Sequence, residues 1–310
     1  MTISPLSGIS KPNGITGTLT GLSDAGGISS QPGTTPAGPH PLAYLFDVGG
    51  FLYDGSFDSG SIDFGIDETT PCEASGDPCG FVRDVSGNGW NLEQATSANK
   101  LTFRTTAGGL KSFINGPTTN GGSCRFGEVT GATTTPADYT DIAVVKLMKL
   151  NDPDADIFWD IANFTGTGGE QDASYRIGYG SPASPGNGAY QVLRSGGSSP
   201  LFSNVSNPFP TINGTGFYLL AFSDSGNVSI RRAQQTPATL IDSGASNNFQ
   251  IVQDAYARIR LGYDVDYKII NIEYAFRMRI HRLLTTEEID AVLDYLNTTT
   301  DLSAWTGGTP

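Results

Sequence analysis

Ile272-Glu273-Tyr274-Ala275-Phe276-Arg277-Met278-Arg279-Ile280-His281 alternates apolar and polar residues with period two, the pattern of a β-strand. Strict alternation puts Ile272, Tyr274, Phe276, Met278 and Ile280 on one face and Glu273, Ala275, Arg277, Arg279 and His281 on the other. The first set predicts a sandwich core face. The second is expected to be solvated or paired with carboxylates, which this chain has in surplus.

Outward from this strand the same period recurs. Asp141 to Met148 is a near-continuous apolar run, as for a strand covered on both faces. Ser174–Tyr179 and Ala189–Leu193 flank a Ser/Pro/Gly/Asn loop, and Gly216–Phe222 and Asn227–Arg232 flank Ser223-Asp224-Ser225-Gly226, so each pair predicts a hairpin. One helix interrupts the β pattern. Thr285-Thr286-Glu287-Glu288 has the spacing of a capping box, Leu284 stands where it can staple onto Ile289, and Ile289, Val292, Leu293 and Leu296 follow at helical spacing. The spacing predicts an amphipathic helix over about 286–296.

Composition agrees with an all-β chain. Gly 40 and Pro 18 make up almost a fifth of 310 residues, while charged residues are only 16%. The net charge of -13 repels phosphate backbones and anionic lipid, so nucleic acid and membrane surfaces are not expected partners. No apolar run reaches membrane-spanning length, and Met1-Thr2-Ile3-Ser4-Pro5 lacks the basic and apolar regions of a signal peptide. Synthesis in the host cytoplasm without a signal peptide is the expectation.

Residues 1–41 are different in kind. Gly, Pro, Ser and Thr dominate, and the isolated aliphatics Ile3, Leu6, Ile9, Ile15, Leu19, Leu22 and Ile28 are separated by turn formers, too sparse to build an interior. The alternatives are a disordered tail and an extended arm that docks on another protein; the regular Ile/Leu spacing favours the arm. Gly33 to Pro41 reads as its linker, with His40 inside it, and Leu42-Ala43-Tyr44-Leu45-Phe46 as a strand-like run opening a 42–310 sandwich.

Few residues suit catalysis or metal binding. His40 and His281 are the only histidines and both read as structural or solvated, which leaves a serine or cysteine triad without a base and a zinc site without ligands. Cys72 and Cys79 bound a loop short enough to be stapled in an oxidising compartment, with Cys124 left over; three free thiols is the equal alternative. Asp152, Asp154 and Asp156 offer hard oxygens, but in an EF-hand register Ile157 replaces the glycine and Asn163 the glutamate. No cofactor is expected, an irregular calcium site there or at Asp264 and Asp266 being the alternative. Trp159, Tyr179 and Tyr190, near loop tips, are the candidate aromatic platform for a sugar, against the alternative of core packing.

Arg83-Asp84-Val85-Ser86-Gly87-Asn88-Gly89-Trp90-Asn91-Leu92, then Gln94-Ala95-Thr96 and Leu101-Thr102-Phe103, resembles the opening of concanavalin-A-like (laminin-G-like) jelly-roll domains, with Leu101 where a proline is usual. The long final strand running into Arg282-Leu283-Leu284-Thr285-Thr286-Glu287-Glu288-Ile289 resembles that family's end. The resemblance implies an all-β, two-sheet jelly-roll sandwich. Asp84 and its Ser-Gly-Asn-Gly turn need no ligand to explain them, because Asp and Asn cap turn amides and Gly supplies positive φ.

Such domains recur in bacteriophage virions, so the resemblance together with the arm implies a non-enzymatic virion protein. It would be anchored to capsid or tail by residues 1–41, display the sandwich as decoration, head fibre or spike on the virion surface, and form a homo-oligomer. The alternative is a glycan-binding adhesin for host surface polysaccharide. The family's hydrolases resemble a Glu-x-Asp-x-(x-)Glu strand pattern that this sequence lacks, so no enzymatic activity is expected.

Overall fold

The Asn271–Ile280 strand is the hub of a ten-stranded antiparallel sheet. The structure, a computed structural model, describes the backbone of residues 38–106, 108–117, 124–125, 127–130, 138–148, 157–160, 162–164, 175–180, 189–194, 201–203, 217–224, 227–233, 244–245, 258–261 and 271–300. Side chains are described for 38–106, 108–115, 138–146 and 272–300. One edge of the hub strand pairs with Tyr139–Met148, which in turn pairs with the Phe217–Asp224/Asn227–Ala233 hairpin. Its other edge is shared, Tyr274 facing Phe113 of Lys111–Pro117 and Phe276 facing Asp54 of Gly50–Asp54. At the hand-over, the Gly55 N–H donates to the Ala275 carbonyl at 2.8 Å and its carbonyl accepts from Lys111 N–H at 3.0 Å. A Cβ on Gly55 would stand 1.7 Å from the Lys111 oxygen, so only glycine fits.

The strict two-face reading of Ile272–His281 is corrected by a bulge. Val144 is opposite Phe276 but Val145 is opposite Tyr274, which leaves Ala275 as the extra residue. Ala275, Phe276, Met278 and Ile280 share one core cluster with the helix residues Ile289, Val292, Leu293 and Leu296. Tyr274 instead stacks on Phe113 at 5.3 Å, Phe113 meets Tyr53 at 6.4 Å, and Tyr53 stacks on Phe51, over which Arg277 lies. Beyond the bulge, then, Tyr274 sides with the arginines.

A six-stranded antiparallel sheet packs against this aromatic face. Its Phe64 approaches Phe103 at 5.7 Å and Phe113 at 6.5 Å, both on the larger sheet, which makes the arrangement a β-sandwich. A four-stranded sheet is formed by Ile157–Asp160, Tyr175–Gly180, Ala189–Arg194 and Leu201–Ser203. Both expected hairpins form in it and in the large sheet.

The Asp84 turn is structural, as its residue types require. Asp84 accepts from the N–H groups of Leu52, Ser86 and Trp90 and from the Ser86 hydroxyl, each at 2.9 Å. Gly87 has φ +96, which an L side chain rarely adopts.

The opening of the sandwich differs from expectation. Ala43–Phe46 is a single 3-10 turn, not a strand. Leu42, Leu45 and Phe46 are spaced for one helical face and bury it in the helix cluster, while Tyr44 is exposed. His40, read as part of a linker, is 4% exposed. Its Nδ1 accepts from Leu42 N–H at 3.0 Å, which puts the proton on Nε2, the donor to Asp54 Oδ2 at 3.0 Å. The Tyr295 hydroxyl donates to the same oxygen at 2.7 Å, and the Ser56 N–H and hydroxyl donate to the other at 2.7 and 2.6 Å. Burial, and then the Asp54 charge, push the Tyr295 phenol well above its ordinary pKa. His40 therefore clasps the start of the described chain to the last helix.

That helix spans Thr286–Thr299 with the capping box formed. It runs three residues past the expected end because the Thr298 and Thr299 hydroxyls donate back to the Tyr295 carbonyl at 2.8 and 2.9 Å. Arg282 forks onto Glu288 at 2.7 and 2.8 Å, and this contact first, despite partial burial, holds the Glu288 carboxyl below its ordinary range. No helix among the described residues is long and apolar enough to cross a membrane.

Candidate functional site

Three polar or aromatic groupings could carry chemistry, and the geometry separates them. The first lies inside the sandwich. Asp141 accepts from Arg277 at 3.1 Å and from Arg279 Nε at 2.7 Å, with a second Arg279 nitrogen on its other oxygen. Arg277 lies 5.7 Å over the Phe51 ring and Arg279 5.0 Å over Tyr139. Burial alone would raise the Asp141 carboxyl, but the two guanidinium charges outweigh it and hold the group below its ordinary value. A carboxylate so held accepts hydrogen bonds and has no proton to give at neutral pH. This is a structural ion cluster. Beside it, burial and then the Arg279 charge depress His281 from 6.5 to about 4, and the ring packs against Trp90 at 5.1 Å. His281 is thus a neutral, ring-packed imidazole at pH 7.

The second grouping is a row across the six-stranded sheet. Glu93 is directly opposite Glu128, and Glu128 is opposite Arg260 on its other side. Directly opposed residues share a face, with Cβ atoms about 4.5–5.5 Å apart. Glu93 is exposed. Partial burial, and then the charge of Glu68, raise its carboxyl above the ordinary range. Retaining glycoside hydrolysis uses two carboxyl groups on one face flanking a single bond, and the register puts Glu93 and Glu128 directly opposite one another. Sequence reading sought this pair along one strand and missed it, because its members are 35 residues apart and meet only through register.

The third grouping contains the sequence-derived aromatics. Tyr179 and Tyr190 are direct antiparallel partners, so they take the same face of the four-stranded sheet. Trp159 is the extra residue where Phe158 faces Gly178 and Asp160 faces Ile177 on the adjoining strand pair. The fold thus collects all three on neighbouring strands spaced about 4.8 Å apart.

The remaining expectations fall elsewhere. Asp152, Asp154, Asp156, Asp264 and Asp266 lie outside the described residues, as do Ile3, Leu6, Ile9, Ile15, Leu19, Leu22 and Ile28. Among the described residues no group of three His, Cys, Asp or Glu is placed to hold a metal. The remaining described buried carboxylates are engaged structurally: Asp63 accepts from Ser59, and Glu273 from Ser112 at 2.6 Å beside Arg104.

No family model matches the sequence. No curated protein matches it. Solved structures do. A mutant GH54 α-L-arabinofuranosidase soaked with 4-nitrophenyl α-L-arabinofuranoside matches at TM-score 0.52 and 16% identity, over 84% of this chain and 60% of that one. An arabinofuranosidase complexed with arabinofuranosyl-α-1,2-xylobiose matches at TM-score 0.50 and 14% identity, over 80% and 58%. A looser likeness, TM-score 0.45 at 16% identity over 69% and 48%, is to the binding domain of botulinum neurotoxin DC in complex with SialylT. The likeness to the arabinofuranosidases is one of fold. This chain spans about three fifths of their length.

The expectation of a non-enzymatic chain is corrected by these matches. It rested on a missing strand pattern, yet the shared fold is one on which glycoside hydrolases have been solved with a substrate and with a cyclic sulfate inhibitor. The absence of one strand pattern does not make such a sandwich inert. The virion expectation draws no support from the matches.

Proposed function

We propose that this chain is a carbohydrate-recognising β-sandwich, with Trp159, Tyr179 and Tyr190 as its sugar-stacking residues. The supporting observation is the register that sets Tyr179 against Tyr190 with Trp159 on the next strand. Sugar rings offer apolar C–H faces to aromatic rings, and paired aromatics across strands make a platform wide enough for one or two residues of a glycan. The net charge of -13 selects against acidic polysaccharides and for neutral ones. Titration calorimetry of the full chain against neutral arabinose-containing polysaccharides tests this. Tyr179→Ala and Tyr190→Ala should each weaken binding about tenfold, the loss expected for an interface anchor. Undiminished affinity in both variants would exclude the platform.

A second reading, glycoside hydrolysis, is favoured by the Glu93–Glu128 opposition. In it Glu93, the carboxyl raised by burial and by Glu68, donates the proton, and Glu128, opposite it in the strand register, is the second carboxylate. Turnover of 4-nitrophenyl α-L-arabinofuranoside that falls at least a hundredfold in Glu93→Gln supports it; turnover unchanged in that variant removes the pair.

Display at a particle surface through residues 1–41, with self-association, is proposed on the sequence alone. Its truncation test must stop short of His40, which is part of the fold. Removal of residues 1–36 should abolish incorporation into particles while leaving the sandwich folded, and normal incorporation would refute the anchor.

A further inference from the structure

We infer that Trp90, His281 and Asn88 form a second saccharide-binding site, for an uncharged glycan, at the corner where the Asp84 turn meets the end of the Asn271–Ile280 strand. The site takes its ligand class from the proposed carbohydrate reading and rests on it, but shares no residue with the Trp159, Tyr179 and Tyr190 platform. Both rings are half-buried and stand edge to face, their centroids 5.1 Å apart. Hydrogen bonds of the surrounding backbone fix them there. Trp90 N–H donates to Asp84 Oδ2 at 2.9 Å, and the Trp90 carbonyl accepts from the Tyr53 hydroxyl at 2.7 Å. His281 N–H donates to Gly49 O at 3.3 Å. Asn88, exposed on the turn, donates from Nδ2 to Gly50 O at 2.9 Å, which ties the turn to the same two-glycine segment.

The polar ends of these side chains are left for a ligand. Among the described residues nothing hydrogen-bonds to the His281 ring nitrogens, the Trp90 indole N–H or Asn88 Oδ1, and all three residues reach the surface. A Cβ on Gly49 would stand 3.3 Å from His281 Nδ1, so glycine keeps that nitrogen clear, and a Cβ on Gly87 or Gly89 would meet nothing within 4 Å, so the turn leaves open space before Trp90. Burial, and then the Arg279 charge, hold the imidazole neutral down to about pH 4, and a neutral imidazole offers one donor and one acceptor. Sugar hydroxyls both donate and accept, and sugar C–H faces pack on indole. None of the three side chains is charged, and Arg282, next in the chain, is taken up by Glu288 and Asp47. A neutral polyol is the ligand that such a set of groups fits.

The test titrates the isotope-labelled full chain with arabinobiose, xylobiose and cellobiose while NMR follows the Trp90 indole N–H and the His281 ring nitrogens. At least one sugar should shift both sets of resonances saturably, and the shifts should persist in a chain carrying Tyr179→Ala and Tyr190→Ala. His281→Phe keeps a ring against Trp90 and removes both nitrogens, so it should weaken that affinity about tenfold, and Trp90→Ala should abolish it. Should Trp90→Ala fail to fold, Asn88→Ala on the exposed turn gives a second reading, with a loss of about threefold or more. Ring resonances that stay still while calorimetry records heat sensitive to Tyr179→Ala overturn this site and spare the platform. Shifts lost with the two tyrosines, or affinity unchanged in His281→Phe, also overturn it. Still resonances with no heat from any sugar overturn both sites.

Discussion

On its helix side the Asn271–Ile280 strand buries Phe276, Met278 and Ile280 among aliphatic side chains; on its other side it buries Arg277 and Arg279 around Asp141. Both faces are dry, the arginines being 2% and 1% exposed. The apolar face gains from area removed from water, so truncation there should cost in proportion to the atoms lost. On the ionic face two guanidinium groups share the Asp141 carboxylate. Removing that carboxylate takes a counter-charge from two buried guanidinium groups, and the loss is then far larger than the net worth of the intact cluster.

The contrast can be broken most sharply at Asp141. Asp141→Ala should destabilise the fold by about 3–5 kcal/mol in urea unfolding. Replacing Asp141, Arg277 and Arg279 together by apolar residues of similar volume should recover much of that loss. On the apolar face, Met278→Ala should cost about 2–5 kcal/mol, scaled by the cavity left, with no such rescue by a second substitution.

A pH series sharpens the comparison, because His281 borders the ionic face. Its pKa is depressed to about 4 in the fold from an ordinary 6.5, so the unfolded chain takes up a proton that the fold refuses as pH falls through that window. The stability this group contributes is complete above pH 6.5 and is lost on acidification towards pH 4. Between pH 7 and 5 the loss should be about 1–2 kcal/mol by unfolding midpoint, and His281→Asn should flatten it. Asp141 and Glu288, both depressed, add their losses further into acid. The smallest effect belongs to the helix end, where Thr285→Ala removes one cap and should cost about 0.5–2 kcal/mol.

Particular elements show what was legible in advance. The capping box, the two hairpins and the Tyr139–Met148 strand follow from short-range chemistry and form as their residues require. The Leu42–Phe46 run, expected as a strand, forms a 3-10 turn instead, because a run of five apolar or small residues fits either period and burial of Leu42, Leu45 and Phe46 on one side decides for the turn. The Glu93–Glu128 opposition was invisible because it depends on which strands are neighbours. Trp159, Tyr179 and Tyr190 were nameable from the sequence, but their adjacency was not.

The sequence by itself determined the β character of the described strands, the site of the capped Thr286–Thr299 helix and the local hydrogen bonds of the Asp84 turn to Ser86 and Trp90, all of which depend on residues within a few positions of each other. Only the tertiary structure decided that Ala275 bulges and turns Tyr274 towards the arginines, and that His40 is buried against Asp54 and Tyr295. Local propensity sets a strand's period. Its register, and so which side chains share a face, is settled by neighbours that arrive from 100 or more residues away, as Val144 and Val145 do for Ala275.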